Sequence, residues 1–183
     1  MHKRGIPVTI PGMASTRDRI LDALQDALLE YGPGGATLDA VAERAAVSKG
    51  GLLYHFRSKD DLFAGLLDRL DAEAAAADAT TPADADGAAR HFLDGSQYAD
   101  GPETRTLLAA LRLLGTYPPA RERMARYLEA WAAGLHRAIP DTVSARLVQL
   151  VGDGLFLHAL LGGGDPDLDA QVKDTVRGML DRA

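Results

Sequence analysis

The residues whose types and spacing could do chemistry lie in the first third of the chain, where two short helical patterns flank a tight turn. Thr37 and Ser48 each precede apolar residues at helical spacing, so each hydroxyl is expected to cap a helix N-terminus. The second pattern begins Lys49-Gly50-Gly51, a cation followed by two residues without side chains. A helix N-terminus offers free N–H groups to phosphate, and glycine allows close backbone approach. This spacing is typical of a helix-turn-helix whose second helix lies in the major groove of DNA.

The net charge of the whole chain does not favour DNA binding, but the charge of its N-terminal part does. The 183 residues carry a formal net charge of −6. Residues 1–60 contain eight Lys/Arg and seven Asp/Glu, whereas the remainder contains twelve and nineteen. A basic surface that attracts the phosphate backbone can therefore exist only at the N-terminal end.

Composition restricts the rest of the fold. Hydrophobic residues make up 46% of the chain, aromatic residues only 5%, and alanine is abundant, which favours packed helices over β-sandwiches. No alternating strand pattern occurs, so an all-α protein is predicted. The absence of cysteine excludes a disulfide framework and thiolate metal sites, and it suits a cytoplasmic protein.

Four helices are predicted in the N-terminal part. The first begins at Ser15, buries a face that includes Tyr31, and ends within residues 32–35. The second and third follow the two hydroxyl caps named above. Ser58 caps the fourth, which leads out of the N-terminal part and buries Leu62, Phe63, Leu66, Leu67 and Leu70.

The remaining chain is divided by glycine and proline. Residues 1–14 are predicted to be a mobile arm, with Met13 as an alternative start, and the latter part of 71–87 a flexible link. Five further helices are predicted at about 88–98, 103–116, 120–138, 141–162 and 167–182. The arm lacks the apolar segment of a signal peptide, and no run approaches the ~18 apolar residues of a membrane span.

Several features occur together in register over roughly residues 15–70. They are the spacing of the first helix, the turn VSKG at 47–50, the block YHF at 54–56 and the restart SKDDL at 58–62. In this combination the sequence resembles the tetracycline-repressor (TetR) family of transcriptional regulators. The resemblance implies an all-helical dimer of two-domain chains. A helix-turn-helix DNA-binding domain at 15–60 is followed by a helical effector-binding and dimerisation domain at 61–183.

The family pattern assigns contacts to individual residues of the helix-turn-helix. The resemblance implies groove or base contacts on the helix that holds Lys49, Gly50, Gly51, Tyr54 and His55, and phosphate contacts at Ser48 and Lys59. Thr37, on the bracing helix, and Arg17, at the start of the first helix, complete the predicted DNA-binding set. The alternatives are solvated lysines at 49 and 59 and a packing histidine at 55.

Two positions depart from the family pattern. Ala46 stands in the turn where the family often has glycine, which costs up to ~1 kcal/mol if the residue is left-handed. The aromatic residue that often follows the first leucine comes one position later here, at Tyr54. Leu52 and Phe56 are four apart and are expected to be core.

The body is predicted to hold a mostly apolar, largely uncharged effector between the helices near 103–116, 120–138 and 141–162. Scarce aromatic residues with polar tips fall there, which favours a surface that orients a ligand. The predicted effector residues are Leu107, Leu111, Tyr117, Met124, Tyr127, Trp131, Phe156 and His158. The alternative is a packed helical core. No metal or other cofactor is predicted, because the histidines and carboxylates are not at metal-ligand spacing.

The last two helices, 141–162 and 167–182, are predicted to form a homodimer. Each carries a long apolar stripe, and Gly152 and Gly154 would allow close helix approach. Four such helices make an interface whose two-fold symmetry matches a palindromic site on double-stranded DNA. The alternative is that the stripes cover the chain's own core.

Together these features predict a ligand-responsive repressor that binds a palindromic operator. One alternative is a constitutive DNA-binding regulator with no small effector. Another is a helical enzyme, which is disfavoured because the sequence has no phosphate loop, metal-binding histidine pair or nucleophile motif. The sequence does not distinguish a repressor from an activator.

Overall fold

The computed structural model describes residues 15–97 and 101–180, which form ten helices and no strand, so the predicted all-α class is confirmed. The predicted arm at 1–14 lies outside the described residues. The helices are α1 (Thr16–Gly35), α2 (Leu38–Arg44), α3 (Lys49–His55), α4 (Lys59–Thr80), α5 (Ala85–Gly95), α6 (Pro102–Leu111), α7 (Pro119–Trp131), α8 (Ala133–Ala138), α9 (Thr142–Leu160) and α10 (Pro166–Leu180).

The chain divides into two compact units between Leu62 and Phe63. In the first unit, which we call the head, α1 packs against α2 and α2 against α3. Leu24 of α1, Val41 of α2 and Leu52 of α3 are fully buried. Each short helix thus contributes an apolar anchor, and tertiary packing stabilises helices that are too short to be stable alone.

The first helix ends where the sequence predicts, but its last side chain faces solvent. Gly32 leaves the helical conformation with φ of 69°, and the N–H of Ala36 donates to its carbonyl at 3.2 Å. Tyr31 was predicted to be buried and is 57% exposed, so that prediction is wrong. The helix breaks at the next residue, and the Tyr31 ring lies outside the core. The guanidinium carbon of Arg44 lies over this ring, 5.6 Å from its centroid.

The predicted flexible link is largely wrong, because α4 continues to Thr80 and α5 begins at Ala85. Residues 72–79 are mostly alanine, the best helix former, and contain no glycine or proline. The N-cap of α5 is Asp84, whose carboxylate accepts from the Gly87 N–H at 2.7 Å. Only four residues therefore connect the two helices.

The second unit, which we call the body, has a core shared by α5, α8, α9 and α10. Phe92, Leu135 and Val148 contribute buried apolar side chains to it. At Gly152, an added Cβ would lie 2.6 Å from Phe92 Cε1 and from Ser96 Oγ. Gly152 therefore allows α9 to approach α5 within the body, and not a helix of the predicted dimer interface, whereas a Cβ added at Gly154 would meet nothing within 4 Å.

Two predicted helices of the body differ from the observed ones. The pattern at 103–116 gives α6, which ends at Leu111, and residues 112–116 form turns before the proline pair at 118–119. The pattern at 120–138 gives two helices, because the backbone at Ala132 (φ −90°, ψ 0°) ends α7 and precedes α8. Alanine is spread evenly along this segment, so the sequence pattern does not reveal the break at Ala132.

The ninth helix has two apolar faces. Ala145 and Val148 face the core, whereas Val143 (74% exposed), Leu157 and Leu161 (76%) lie on the solvent side. Among the described residues, α9 is the one helix long and apolar enough to cross a membrane, contrary to the expectation of no such segment. Length and composition alone do not establish a membrane span.

Candidate nucleic-acid interface

The helix-turn-helix is built by two side-chain caps and one unusual backbone conformation. Thr37 Oγ1 accepts from the Ala40 N–H at 3.2 Å, and Ser48 Oγ accepts from the Gly51 N–H at 3.0 Å. Between α2 and α3 the chain reverses through Ala46, whose φ is 53°. A left-handed backbone is unfavourable for a residue with a Cβ, so alanine at position 46 is conformationally unfavourable in this turn.

The third helix has one buried and one exposed side. Leu52 is fully buried and Phe56, its C-cap, is 3% exposed, as their four-residue spacing predicts. Tyr54 is 85% exposed and His55 is also exposed, with their rings in edge contact at 5.2 Å between centroids. The packing alternative for His55 is therefore wrong. The buried side fixes the orientation of a helix whose other side presents an aromatic ring and an imidazole to solvent.

The two glycines at the start of α3 have different surroundings. A Cβ added at Gly50 would meet nothing within 4 Å, whereas at Gly51 it would lie 3.2 Å from Ser48 Oγ. Glycine at 51 therefore leaves room for the Ser48 hydroxyl that caps the helix. Gly50 has no such contact with the described residues, and its missing side chain leaves the N-terminal turn of α3 accessible to a ligand surface.

The cations near α3 are held by other groups of the head. Lys49 Nζ lies 2.9 Å from Asp39 Oδ1 of α2, with both side chains exposed. Lys59 Nζ donates to the Pro33 carbonyl at 2.5 Å and is half-buried. Arg17 lies over the buried Phe56 ring, with its guanidinium carbon 5.1 Å from the centroid. Arg17 and Lys59 are thus held in place by contacts within the head, whereas the charge of Lys49 is paired with that of Asp39.

A further ion pair connects α2 to α1. Arg44 Nη2 lies 2.5 Å from Glu30 Oε2. The Tyr31 hydroxyl and the Arg44 guanidinium lower the pKa of Glu30 by bonding to its charged form. Arg44 is thus committed to bracing the head, and the sequence offered no signal for this pairing or for that of Asp39 with Lys49, because neither pair lies at i, i+4 spacing.

The predicted effector residues of the body are only partly brought together. Tyr127 is buried, which raises the pKa of its hydroxyl, and its ring centroid lies 6.0 Å from that of Trp131. Tyr117 is half-buried and packs edge-on against Phe63 at 5.5 Å. The other members of the set are Met124, which is buried, Leu107 and Phe156, which are half-buried, and Leu111 and His158, which are exposed.

The body contains a cavity of about 550 Å³ at a different place from the predicted site. It is lined by the end of α4, by α5 and by residues on either side of the α7–α8 junction. Of the eight predicted effector residues, Trp131 is the only one that lines it. Within residues 15–97 and 101–180, no group of three or more His, Asp or Glu side chains is placed to hold a metal ion.

A helix-turn-helix on a small helical head, followed by a larger all-helical body, defines a DNA-binding transcriptional regulator. Comparison with protein families is consistent with this class. Residues 20–66 match the model of the bacterial regulatory proteins of the tetR family, and residues 86–181 match a tetracyclin repressor-like C-terminal domain. The chain belongs to the TetR family.

Relatives match along nearly the whole chain. The chain is 32% identical over 184 residues to the HTH-type transcriptional repressor Rv1474c of Mycobacterium tuberculosis, covering 93% of this chain and 96% of that one. A crystal structure of a transcriptional regulator from Rhodococcus sp. Rha1 is 26% identical, with a TM-score of 0.69 and coverage of 91% and 96%. The multidrug binding protein EbrR, complexed with malachite green, is 27% identical, with a TM-score of 0.69 and coverage of 92% and 98%.

Proposed function

We propose that this protein is a ligand-responsive repressor that binds a palindromic operator as a homodimer in the cytoplasm. The observation that carries the proposal is the two-sided α3, anchored by Leu52 and Phe56 and exposing Tyr54 and His55. A surface helix with an aromatic ring and an imidazole on its free side, and an open glycine in its first turn, suits insertion into the major groove.

The geometry of the head supports a set of DNA contacts. Lys49 and the open backbone at Gly50 meet the groove at the N-terminal end of α3, and Tyr54 and His55 contact groove edges or backbone farther along. Phosphates flank this helix at its cap, near Thr37 of α2, and near Arg17 and Lys59, whose charges are held in place by Phe56 and Pro33. Such contacts supply most of the affinity and make it fall as salt rises.

The exposed stripe of α9 supports the homodimer. It consists of five exposed side chains, Val143, Leu147, Leu150, Leu157 and Leu161. Gly154 lies on the same face, between Leu150 and Leu157. Because these side chains lie outside the body core that the described residues form, the stripe is available to a partner. An exposed apolar stripe of this length favours a second copy of the same helix, related by two-fold symmetry. Leu168 and Met179 of α10 are exposed as well.

Ligand response is supported by a relative and by the continuity of α4. EbrR, 27% identical, is named a multidrug binding protein and was solved with malachite green. The first turn of α4, from Lys59, belongs to the head, and the helix then continues to Thr80 within the body. An effector that binds the two states of the dimer with different affinity would release DNA by that difference, and DNA would weaken effector binding equally.

The test is selection of bound DNA from a random duplex pool with the full chain. We expect an inverted repeat whose half-sites are spaced by about one helical turn or a multiple of it, bound with a steep salt dependence. Lys49→Ala should change the preferred half-site, because a lysine in the groove reads guanine. Failure to recover any inverted repeat, or to see a salt-dependent shift with any duplex, would contradict the proposal.

A further inference from the structure

The 550 Å³ cavity of the body has an apolar floor and a polar rim. Phe92 and Leu135 form the floor and are buried, and the half-buried indole of Trp131 forms a wall. His91 and Thr80, both exposed, lie at the rim, so the cavity opens to solvent on that side. An aromatic wall beside a few polar groups is the usual construction of a small-molecule site.

The cavity is open to solvent on one side, and its size is that of a small-molecule site. The volume of about 550 Å³ falls within the ~300–1,000 Å³ of sites for drug-sized ligands. A compound of two fused rings fits this space.

Helix α5 lines the cavity with residues on successive turns, Gly87, His91 and Gly95. Glycine at 87 serves the helix cap, since a Cβ there would lie 2.7 Å from Asp84 Oδ2. At Gly95 a Cβ would make an ordinary contact, 3.7 Å from Trp131 Cζ2. Packing does not require glycine at 95. The missing side chain keeps the edge of the indole uncovered.

The charges at the rim are already neutralised. Arg90 and Arg177 share Asp86, at 3.1 and 2.8 Å, and Arg177 also lies 3.3 Å from Asp174. Asp94 pairs with Lys173 at 3.4 Å. A charged ligand would therefore lose hydration without gaining an unpaired counter-ion in the cavity. This balance favours an uncharged ligand.

One polar contact at the rim is weak enough to be exchanged. His91 Nε2 lies 3.5 Å from Thr80 Oγ1, at the limit of hydrogen-bond length. The Thr80 hydroxyl already donates to the Ala77 carbonyl at 2.9 Å. The imidazole can therefore turn its ring nitrogen to a hydroxyl or carbonyl of a ligand with little loss.

We propose that this cavity is the effector site, and that it binds an uncharged, flat aromatic compound carrying one hydrogen-bonding group. The rings pack between Trp131 and Phe92, and the polar group bonds to His91. This assignment rests on the proposed ligand response, and it places the effector beside the last turn of α4 and α5 rather than among the helices expected from the sequence.

The first experiment measures binding of 1-naphthol to the full chain by calorimetry, with emission of Trp131, the only tryptophan, as the positional reporter. 1-Naphthoate and malachite green serve as anionic and cationic probes of aromatic character. We expect 1-naphthol to bind with a Kd below about 1 mM and to change Trp131 emission, and the charged probes to bind at least about tenfold more weakly. Absence of 1-naphthol binding, or preference for a charged probe, overturns the ligand class.

Variants locate the site. Gly95→Leu should weaken 1-naphthol binding at least about tenfold by filling the space beside the indole, whereas Ala125→Leu, the matched addition at an exposed position of α7, should not. His91→Ala should abolish the preference for 1-naphthol over naphthalene. Equal binding to Gly95→Leu and wild type, with both proteins showing the same circular dichroism, would overturn the site.

Failure of this inference differs from failure of the proposed function. If an effector releases operator DNA from wild type and Gly95→Leu alike, the ligand response stands and this cavity is not its site. If 1-naphthol and its uncharged analogues bind the cavity with no effect on operator affinity at saturation, the cavity binds this ligand class, but it is not the effector site.

Discussion

Ala46 and Gly50 lie four residues apart. The Cβ of Ala46 is expected to affect stability, and the missing Cβ of Gly50 is expected to affect DNA binding. Ala46 adopts a φ of 53°, where a Cβ is unfavourable. Ala46→Gly should raise the free energy of unfolding of the head by about 0.5–1 kcal/mol, measured by denaturant titration. DNA affinity should stay unchanged. A variant less stable than wild type would show that the left-handed turn carries no strain.

The opposite substitution at Gly50 separates stability from binding. Because a Cβ there meets nothing within 4 Å, Gly50→Ala should stabilise α3 by up to ~0.5 kcal/mol through helix propensity. It should nonetheless weaken operator binding about tenfold in a fluorescence anisotropy titration, because the methyl group lies where DNA approaches. Gly34→Ala, also in open space within the head, is the matched control and should leave affinity unchanged. Unaltered affinity for Gly50→Ala would argue against close approach at this turn.

Single residues also show the limits of sequence reasoning. The caps at Thr37 and Ser48 and the core positions Leu52 and Phe56 could be predicted, because each depends on neighbours within four residues. The pairing of Lys49 with a carboxylate of α2 depends on how two helices pack, which local spacing does not encode. The roles of the DNA-binding residues remain predictions.

At the scale of elements, α4 joins α7 and α6 through polar contacts. Arg123 of α7 lies 2.8 Å from Asp68 and 2.6 Å from Asp71 of α4. Thr106 of α6 donates to Glu73 Oε1 at 2.9 Å, while Glu73 Oε2 is buried with no hydrogen-bond partner among the described residues. Burial raises the pKa of Glu73 to about 7.

This shift predicts a pH dependence of stability. The folded state holds the Glu73 proton up to about pH 7, whereas the unfolded chain loses it near its ordinary pKa of 4.5, so this group makes stability fall as pH rises through that interval. Glu73→Gln keeps the Thr106 bond and removes the titration. At pH 8 we expect it to exceed wild type by about 1 kcal/mol in unfolding free energy, after allowing for solvent screening of a partly exposed side chain.

Denaturant titrations at pH 5 and pH 8 provide the check. The two proteins should differ little at pH 5, where the wild-type carboxyl is already protonated in the folded state. Glu129→Gln, the same change on the exposed side of α7, should show no such pH dependence. An identical pH profile for Glu73→Gln and wild type would mean that Glu73 is ionised and hydrated in the folded protein.

The elements themselves were predictable to different degrees. Helix caps and glycine or proline breaks locate most helices, since these signals act within one turn. The sequence underestimates the length of α4, because a run of alanines has no amphipathic pattern. The high helix propensity of alanine nevertheless favours a helix there. The break at Ala132 has no local signal, and the cavity between α4, α5 and the α7–α8 junction is a product of tertiary packing.

At the scale of the whole molecule, two units with different charge are joined in one chain. Through Leu62 the head has eight Lys/Arg and eight Asp/Glu, so its charge is balanced, and it carries the exposed α3. The body carries the acidic excess and the exposed apolar face of α9. The family and the two-part organisation could be read from residues 15–70. The body offered only periodicity, because leucine and aromatic residues serve a core, a cavity and an interface alike.

The central claim is that two copies of this chain, joined through α9, bind one palindromic operator. The direct measurement is sedimentation of wild type and Leu157→Glu, alone and on the selected operator. The account predicts a wild-type dimer with two protomers, or a multiple of two, per inverted repeat. Leu157→Glu should be a folded monomer that binds at least about 100-fold more weakly, because two linked heads gain avidity. A monomeric wild type that binds as a single copy, or a Leu157→Glu protein equal to it in assembly and affinity, would contradict the account.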